Sequence, residues 1–155
     1  MLTARKLQNH LLKNVSFDMR KGEIVGFYGL VGAGKTEIAR AIFGADSYEG
    51  EITFKSRPLG HTPQSALAAG IALVPEERRT QGLFTAMSIR ENIPVMNLPR
   101  MSNRGVFRAD EEERAAHDFV ARLGIATDSI EKHTEKLSGG NQKKVCSGKV
   151  SVFSS

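Results

Sequence analysis

The chain of 155 residues has no tryptophan, two tyrosines, five prolines and a single cysteine, Cys146. One cysteine excludes an intramolecular disulfide and a cysteine-rich zinc site. The uncharged stretch Ile24 to Gly34 is too short for a membrane span and contains four glycines. No apolar signal region opens the chain, because Arg5, Lys6 and His10 interrupt it. Charge of one sign is also scarce: 22 basic against 17 acidic residues leave a formal +5 with no basic stripe, which argues against a nucleic-acid partner. These absences exclude a membrane-spanning protein, a secreted disulfide scaffold and a collagen-like chain. They point to a soluble protein of a reducing compartment.

Glycine is plentiful, with 15 residues, and its placement is informative. Val15 to Met19 alternates like a half-buried strand, and Glu51 to Lys55 does the same. Glu23 to Tyr28 and Ile71 to Val74 are short apolar runs of the type buried on both faces of a parallel sheet. Tyr28 reads as core rather than ligand. A glycine-rich loop follows at 29–34, then a helical pattern from Thr36 to Phe43 that stops at Gly44. Thr62-Pro63 reads as N-cap and first residue of a short helix ending near Gly70, and Ser88 caps another, interrupted by Pro94. Leu98 to Gly105 reads as a connection. Asp110 to Leu123 is the clearest helix, with acids at its start and Ala116, Phe119, Val120 and Leu123 on one face. Strand–helix alternation followed by helices implies an α/β core carrying a helical subdomain.

Two segments carry chemistry. Gly29-Leu30-Val31-Gly32-Ala33-Gly34-Lys35-Thr36 matches the phosphate-binding pattern G-x-x-x-x-G-K-[ST]. Gly29, Gly32 and Gly34, with Ala33, let backbone N–H groups converge on a phosphate, and the following helix aims its positive end at the anion. Lys35 can reach the terminal phosphate oxygens and the Thr36 hydroxyl can ligate Mg²⁺. Leu137-Ser138-Gly139-Gly140-Asn141-Gln142 reads as a second helix N-terminus, with Ser138 as the cap.

Paired about a hundred residues apart, these segments resemble the ATP-binding-cassette ATPases, most closely the second cassette of the tandem-cassette ATPases of bacterial sugar importers (the ribose/galactose/xylose group). The likeness runs from residue 2 to residue 145, on KNVSFDMRKGEIVGFYGLVGAGKTE (13–37), GIALVPEERRTQGLF (70–84), SIREN (88–92) and LSGGNQKKV (137–145). Glu37 after the loop threonine, and Asn141-Gln142 after the glycine pair, are features of that subgroup. The resemblance implies a P-loop NTPase core over 1–87, a helical subdomain over 88–145 ending in the signature, and an atypical tail over 146–155. It implies ATP and Mg²⁺ as cofactors. It also implies that Ser138, Gly139, Gly140, Asn141 and Gln142 face the ATP of a second cassette, and that Glu76 replaces the usual glutamine as a metal contact. The implied partners are that second cassette, transmembrane permease subunits and, indirectly, a periplasmic sugar-binding protein; the implied location is the inner face of the plasma membrane, held through the permease.

The chain departs from the family in three ways. Residues 1 to 13 hold no aromatic to stack on adenine, His10 being the nearest candidate. The family places its Walker B Asp, catalytic Glu and switch His after the signature, yet no Asp, Glu or His occurs after Glu135, so the base for water attack has no source in its expected place. From Cys146 onward the tail leaves the family pattern, with Gly148 expected to break the helix, and Cys146 reads as incidental. The expectation is a truncated product whose frame changes near Cys146, lacking the C-terminal part of the fold, poorly soluble or stable only with a partner, and without measurable turnover. The alternatives are a non-catalytic fragment with no transport role, and a DNA-repair or chromosome-associated ATPase of the same superfamily, which the sugar-importer subgroup features and the modest charge disfavour.

Overall fold

The computed structural model describes residues 1–97, 102–103, 106–107 and 109–153. They form two compact units, Met1–Leu73 and Val74–Ser155.

The first unit is built on a four-stranded antiparallel sheet of order β2-β1-β3-β4, with β1 Leu2–Gln8, β2 Val15–Met19, β3 Glu49–Phe54 and β4 Arg57–Pro58. In β1, Leu2 and Ala4 face the core, a bulge follows with Lys6 at φ 50, and Leu7 returns to the same side. The bulge explains why strict alternation does not reveal this strand. Gly50 lies across from it at φ 104, where a Cβ would stand 2.5 Å from the carbonyl oxygens of Arg5 and Lys6, so only glycine fits.

Two helices belong to the same unit, α1 Lys35–Phe43 and α2 Pro63–Ala69. Gly44 ends α1 in the left-handed conformation, and a Cβ there would lie 2.6 Å from the Thr62 backbone. Thr62 caps α2 through a reciprocal pair with Ser65. Ile38 and Ala41 of α1 join Leu2, Ala4, Leu7, Leu12 and Ile52 in the core.

The two apolar runs expected as buried parallel strands do not form strands. Glu23 to Tyr28 and Ile71 to Val74 are irregular. Ile24 and Tyr28 are fully exposed and Val74 is half exposed, so Tyr28 is not a core residue. Phe27 alone finds a ring partner, Phe17, edge-to-face at 5.1 Å. The physical reason is pairing: a strand buried on both faces needs a neighbour along each edge, and among the described residues no strand pairs with either segment. The sheet that does form is antiparallel.

In the second unit α3 Ile89–Asn92, α4 Ala109–Arg122 and α5 Gly139–Phe153 enclose a core of Ile89, Ile93, Phe119, Ile125, Leu137, Val145 and Cys146. Most of the connection expected over residues 98 to 105 lies outside the described residues; Ser102 and Asn103 within it pair with Val106 and Phe107. Ser88 and Glu91 form a capping box at the start of α3. Arg90 bridges two carboxylates, Glu112 at 2.7 Å and Glu131 at 2.6 Å. Gly148 does not interrupt α5. A Cβ there would come within 3.1 Å of Leu123 Cδ1, so the glycine allows the helix to pack closely as it continues to Phe153.

Candidate functional site

The loop before α1 has the geometry that a phosphate cradle needs. Gly32 and Gly34 adopt φ 81 and 83, a region that strains residues with a Cβ. Gly34 is the N-cap of α1 and offers no side-chain acceptor to the first turn, so those N–H groups and the positive end of the helix are directed at the loop. The Ala33 N–H donates to the Leu30 carbonyl at 3.1 Å, closing a turn. Lys35 Nζ folds back to donate to the carbonyls of Gly29 at 2.9 Å and Leu30 at 2.7 Å. Its positive charge is thereby held across the loop. Thr36 and Glu37 occupy the first turn of α1, Thr36 with its side chain exposed. Ile38 and Ala41 anchor the helix in the core.

Leu12 supports this loop from below, its Cδ2 lying 3.0 Å from the position of a Cβ on Gly34. Leu12 belongs to a turn made by Asn9, whose Oδ1 accepts from the N–H groups of Leu11 at 2.9 Å and Leu12 at 2.8 Å. His10, in the same turn, is exposed.

The signature opens α5 in the second unit. Ser138 Oγ accepts from the Asn141 N–H at 3.4 Å, and the Ser138 carbonyl from Gln142 N–H at 2.9 Å. Ser138 and Gly140 are exposed, Gly139 partly so. The two polar residues behind them are committed within the chain. Asn141 exchanges hydrogen bonds with the Ala126 backbone, accepting at 3.1 Å and donating at 3.2 Å. Gln142 is fully buried and donates through Nε2 to the Thr134 carbonyl at 3.0 Å. Both brace the helix start, Asn141 at the surface and Gln142 from inside. Glu76 is exposed in the second unit, whereas Thr36 belongs to the first.

Cys146 is buried in the second core beside the Gly82 carbonyl, and desolvation pushes its thiol pKa up. Lys149, one turn on, donates to the same carbonyl at 3.1 Å and lies 4.4 Å from the Phe84 ring centroid. Desolvation lowers its pKa. Sequence reasoning overlooked Tyr48, which is buried and stacked on His61 at 4.3 Å; the irregular segment between α1 and β3 carries no period that would announce it.

A glycine loop that holds a lysine at the start of a helix, on an α/β unit, defines a P-loop nucleotide-binding fold. The family model described as ABC transporter matches residues 12–152, and the chain belongs to that family. It is similar to the putative ribose/galactose/methyl galactoside import ATP-binding protein 1 of Agrobacterium fabrum, 45% identical over 145 residues, or 92% of this chain and 29% of that protein. It is also similar to a ribose import ATP-binding protein of Streptomyces avermitilis, 44% identical over 147 residues, covering 94% and 29%. The chain thus spans less than a third of the length of these relatives. Among solved structures it resembles an ATP-binding cassette determined as a dimer in a post-hydrolysis state with ADP and Pi, with TM-score 0.79, 19% identity, and coverage of 99% of this chain and 70% of that one. A bacterial Atm1-family ABC exporter with ATP bound gives TM-score 0.71 at 24% identity, covering 98% and 27%. At these identities the likeness is one of fold.

Proposed function

We propose that the chain is the nucleotide-binding part of a sugar-import ATPase, corresponding to the second cassette of a tandem pair. The observation that carries this reading is the loop from Gly29 to Thr36, built for phosphate and set in a sequence 45% identical to a ribose/galactose import ATP-binding protein. Backbone N–H groups at Gly32 to Lys35 bind the phosphates, and Lys35 exchanges its contacts with the Gly29 and Leu30 carbonyls for phosphate oxygens. Thr36, an exposed residue of the first turn of α1, offers a hydroxyl that suits Mg²⁺, which takes few protein ligands and completes its shell with phosphate and water. Magnesium would neutralise phosphate charge.

In this reading Ser138 and Gly140 face the ATP of a partner cassette, and permease subunits carry the pair on the inner face of the plasma membrane, supplied by a sugar-binding protein outside. No helix among the described residues is long and apolar enough to cross a membrane. Titration of the full chain with Mg–ATP tests the proposal: saturable binding, lost in Lys35→Ala, supports it, and binding indifferent to that substitution removes the assignment.

A further inference from the structure

Residues 24–28 of the first unit have the composition of a strand and no neighbour to pair with. None of them has a positive φ, so the backbone is free to extend, yet no strand among the described residues joins the run. Backbone bonds stop at its two ends. The Glu23 N–H donates to the Arg20 carbonyl at 3.2 Å, and Lys35 Nζ to the Gly29 carbonyl at 2.9 Å. An unpaired strand is a template for another chain, and exposed strand edges are ordinarily guarded by lysine or proline. From Ile24 to Gly34 there is neither.

The side chains add apolar surface to the free backbone. Ile24, Tyr28, Leu30 and Val31 are each at least 85% exposed, and Phe27 is 39% exposed. Side chains of this size bury on the order of 150 Å² each. The five together therefore come close to the roughly 800 Å² that one partner gives a standard interface.

The order of residues in the run says which partner fits. Val25 is half-buried, and the Phe27 ring meets Phe17 of β2 edge-to-face at 5.1 Å. That face lies on the run's own unit, and the alternation of a strand turns Ile24, Gly26 and Tyr28 the other way. Reversed, the run is complementary to itself. Antiparallel pairing about Gly26 sets Ile24 opposite Tyr28 of a second copy and Val25 opposite its Phe27. Every such pair joins an aromatic to a β-branched residue, a favourable cross-strand combination, and no charge meets a like charge. Gly26 falls on the two-fold axis, with nothing within 4 Å of a Cβ position there.

We infer that a second copy of this chain covers the run. Residues 24–28 pair antiparallel with the same residues of another molecule, giving an isologous two-fold dimer built by strand addition. The surface is separate from the signature residues Ser138 to Gln142, and the pairing needs no nucleotide, so the inference stands independently of the nucleotide reading.

Sedimentation equilibrium and disulfide trapping of the full chain, without nucleotide, test it. The wild type is expected to rise from 16.9 kDa toward twice that mass with concentration and to stop there. Gly26→Cys puts two thiols at the axis, where opposed Cβ atoms lie about 4.5–5.5 Å apart, so mild oxidation links the dimer. Ile24→Cys, about 13 Å from its counterpart along the ribbon, does not link. Cys146 is buried and stays out of the reaction. Charge pairs read the same register. Ile24→Lys with Tyr28→Lys opposes like charges and abolishes the dimer; Ile24→Glu with Tyr28→Lys opposes unlike charges and associates at least tenfold more tightly than the first pair. Both pairs replace exposed side chains, and circular dichroism matching the wild type verifies their folding. A wild type that is monomeric at every concentration, or a polydisperse aggregate, overturns the inference. So does Ile24→Cys linking as readily as Gly26→Cys, or association that appears only with Mg–ATP.

Discussion

Leu12 and Gly34 meet at the point where the chain before the second strand supports the phosphate loop: Leu12 Cδ2 lies 3.0 Å from where a Cβ on Gly34 would stand, and Gly34 is at φ 83. Gly32, two residues earlier, has almost the same φ, yet nothing lies within 4 Å of its Cβ position. Alanine at either site pays about 1–2 kcal/mol for the left-handed backbone. Gly34→Ala must also displace Leu12, adding about 1 kcal/mol or more. Denaturant unfolding should rank wild type above Gly32→Ala above Gly34→Ala. Equal loss in the two variants would show that Leu12 yields freely.

Within the signature, exposure divides the residues by role. Gln142→Ala removes a fully buried side chain and one of two donors to the Thr134 carbonyl, which keeps the Leu137 N–H at 3.2 Å, so the loss of the hydrogen bond alone costs about 0.5–1.5 kcal/mol of stability. Gly140→Ala meets open space and should leave stability within about 0.5 kcal/mol. Thermal or urea unfolding of both variants checks this, and a stable Gln142→Ala would return that side chain to an outward role.

Much of the local structure was legible because each signal had a local cause. Gly44, Thr62-Pro63, Gly70 and Ser88 mark helix ends through backbone conformation and capping bonds that depend only on near neighbours. The misreadings came from distant partners. Glu23 to Tyr28 has the composition of a buried strand, but burial needs edges supplied by other strands. β1 was hidden because the bulge at Lys6 shifts its alternation by one residue. Gly148 looked like a helix breaker, while its function is to let α5 approach Leu123. At the site, the loop residues were legible from spacing alone. The bonds of Asn141 to the Ala126 backbone and of the buried Gln142 to Thr134, and the orphaned Tyr48 hydroxyl, depend on tertiary contacts that no period announces.

Acid should destabilise the chain through carboxylates held below their ordinary pKa, Glu91 and Asp46 among them. Hydrogen bonds from Ser88, backbone first and then side chain, hold Glu91 below its ordinary pKa, and the hydrogen bond from Arg40 does the same for Asp46. A depressed folded-state pKa means stability that is complete above the unfolded-state value and lost as pH falls through the folded one. Unfolding free energy should therefore be flat near neutrality and decline below the usual carboxylate range. The decline should be shallower in Glu91→Gln, and an unchanged slope in that variant would remove Glu91 from the account.

Cys146 should resist alkylation in the folded chain, being buried with its thiol pKa raised, and react at the rate of a free thiol once unfolded. Mass spectrometry after iodoacetamide treatment, with and without denaturant, gives both rates. Rapid labelling of the native chain would contradict the packing of α5 through its tail.

The central claim is that Gly29 to Thr36 binds nucleotide phosphate through its backbone, and amide hydrogen exchange reads those N–H groups directly. With Mg–ATP added, the account predicts slowed exchange at Gly32 to Thr36, abolished in Lys35→Ala. Exchange at these amides unaffected by Mg–ATP at millimolar concentration would contradict it.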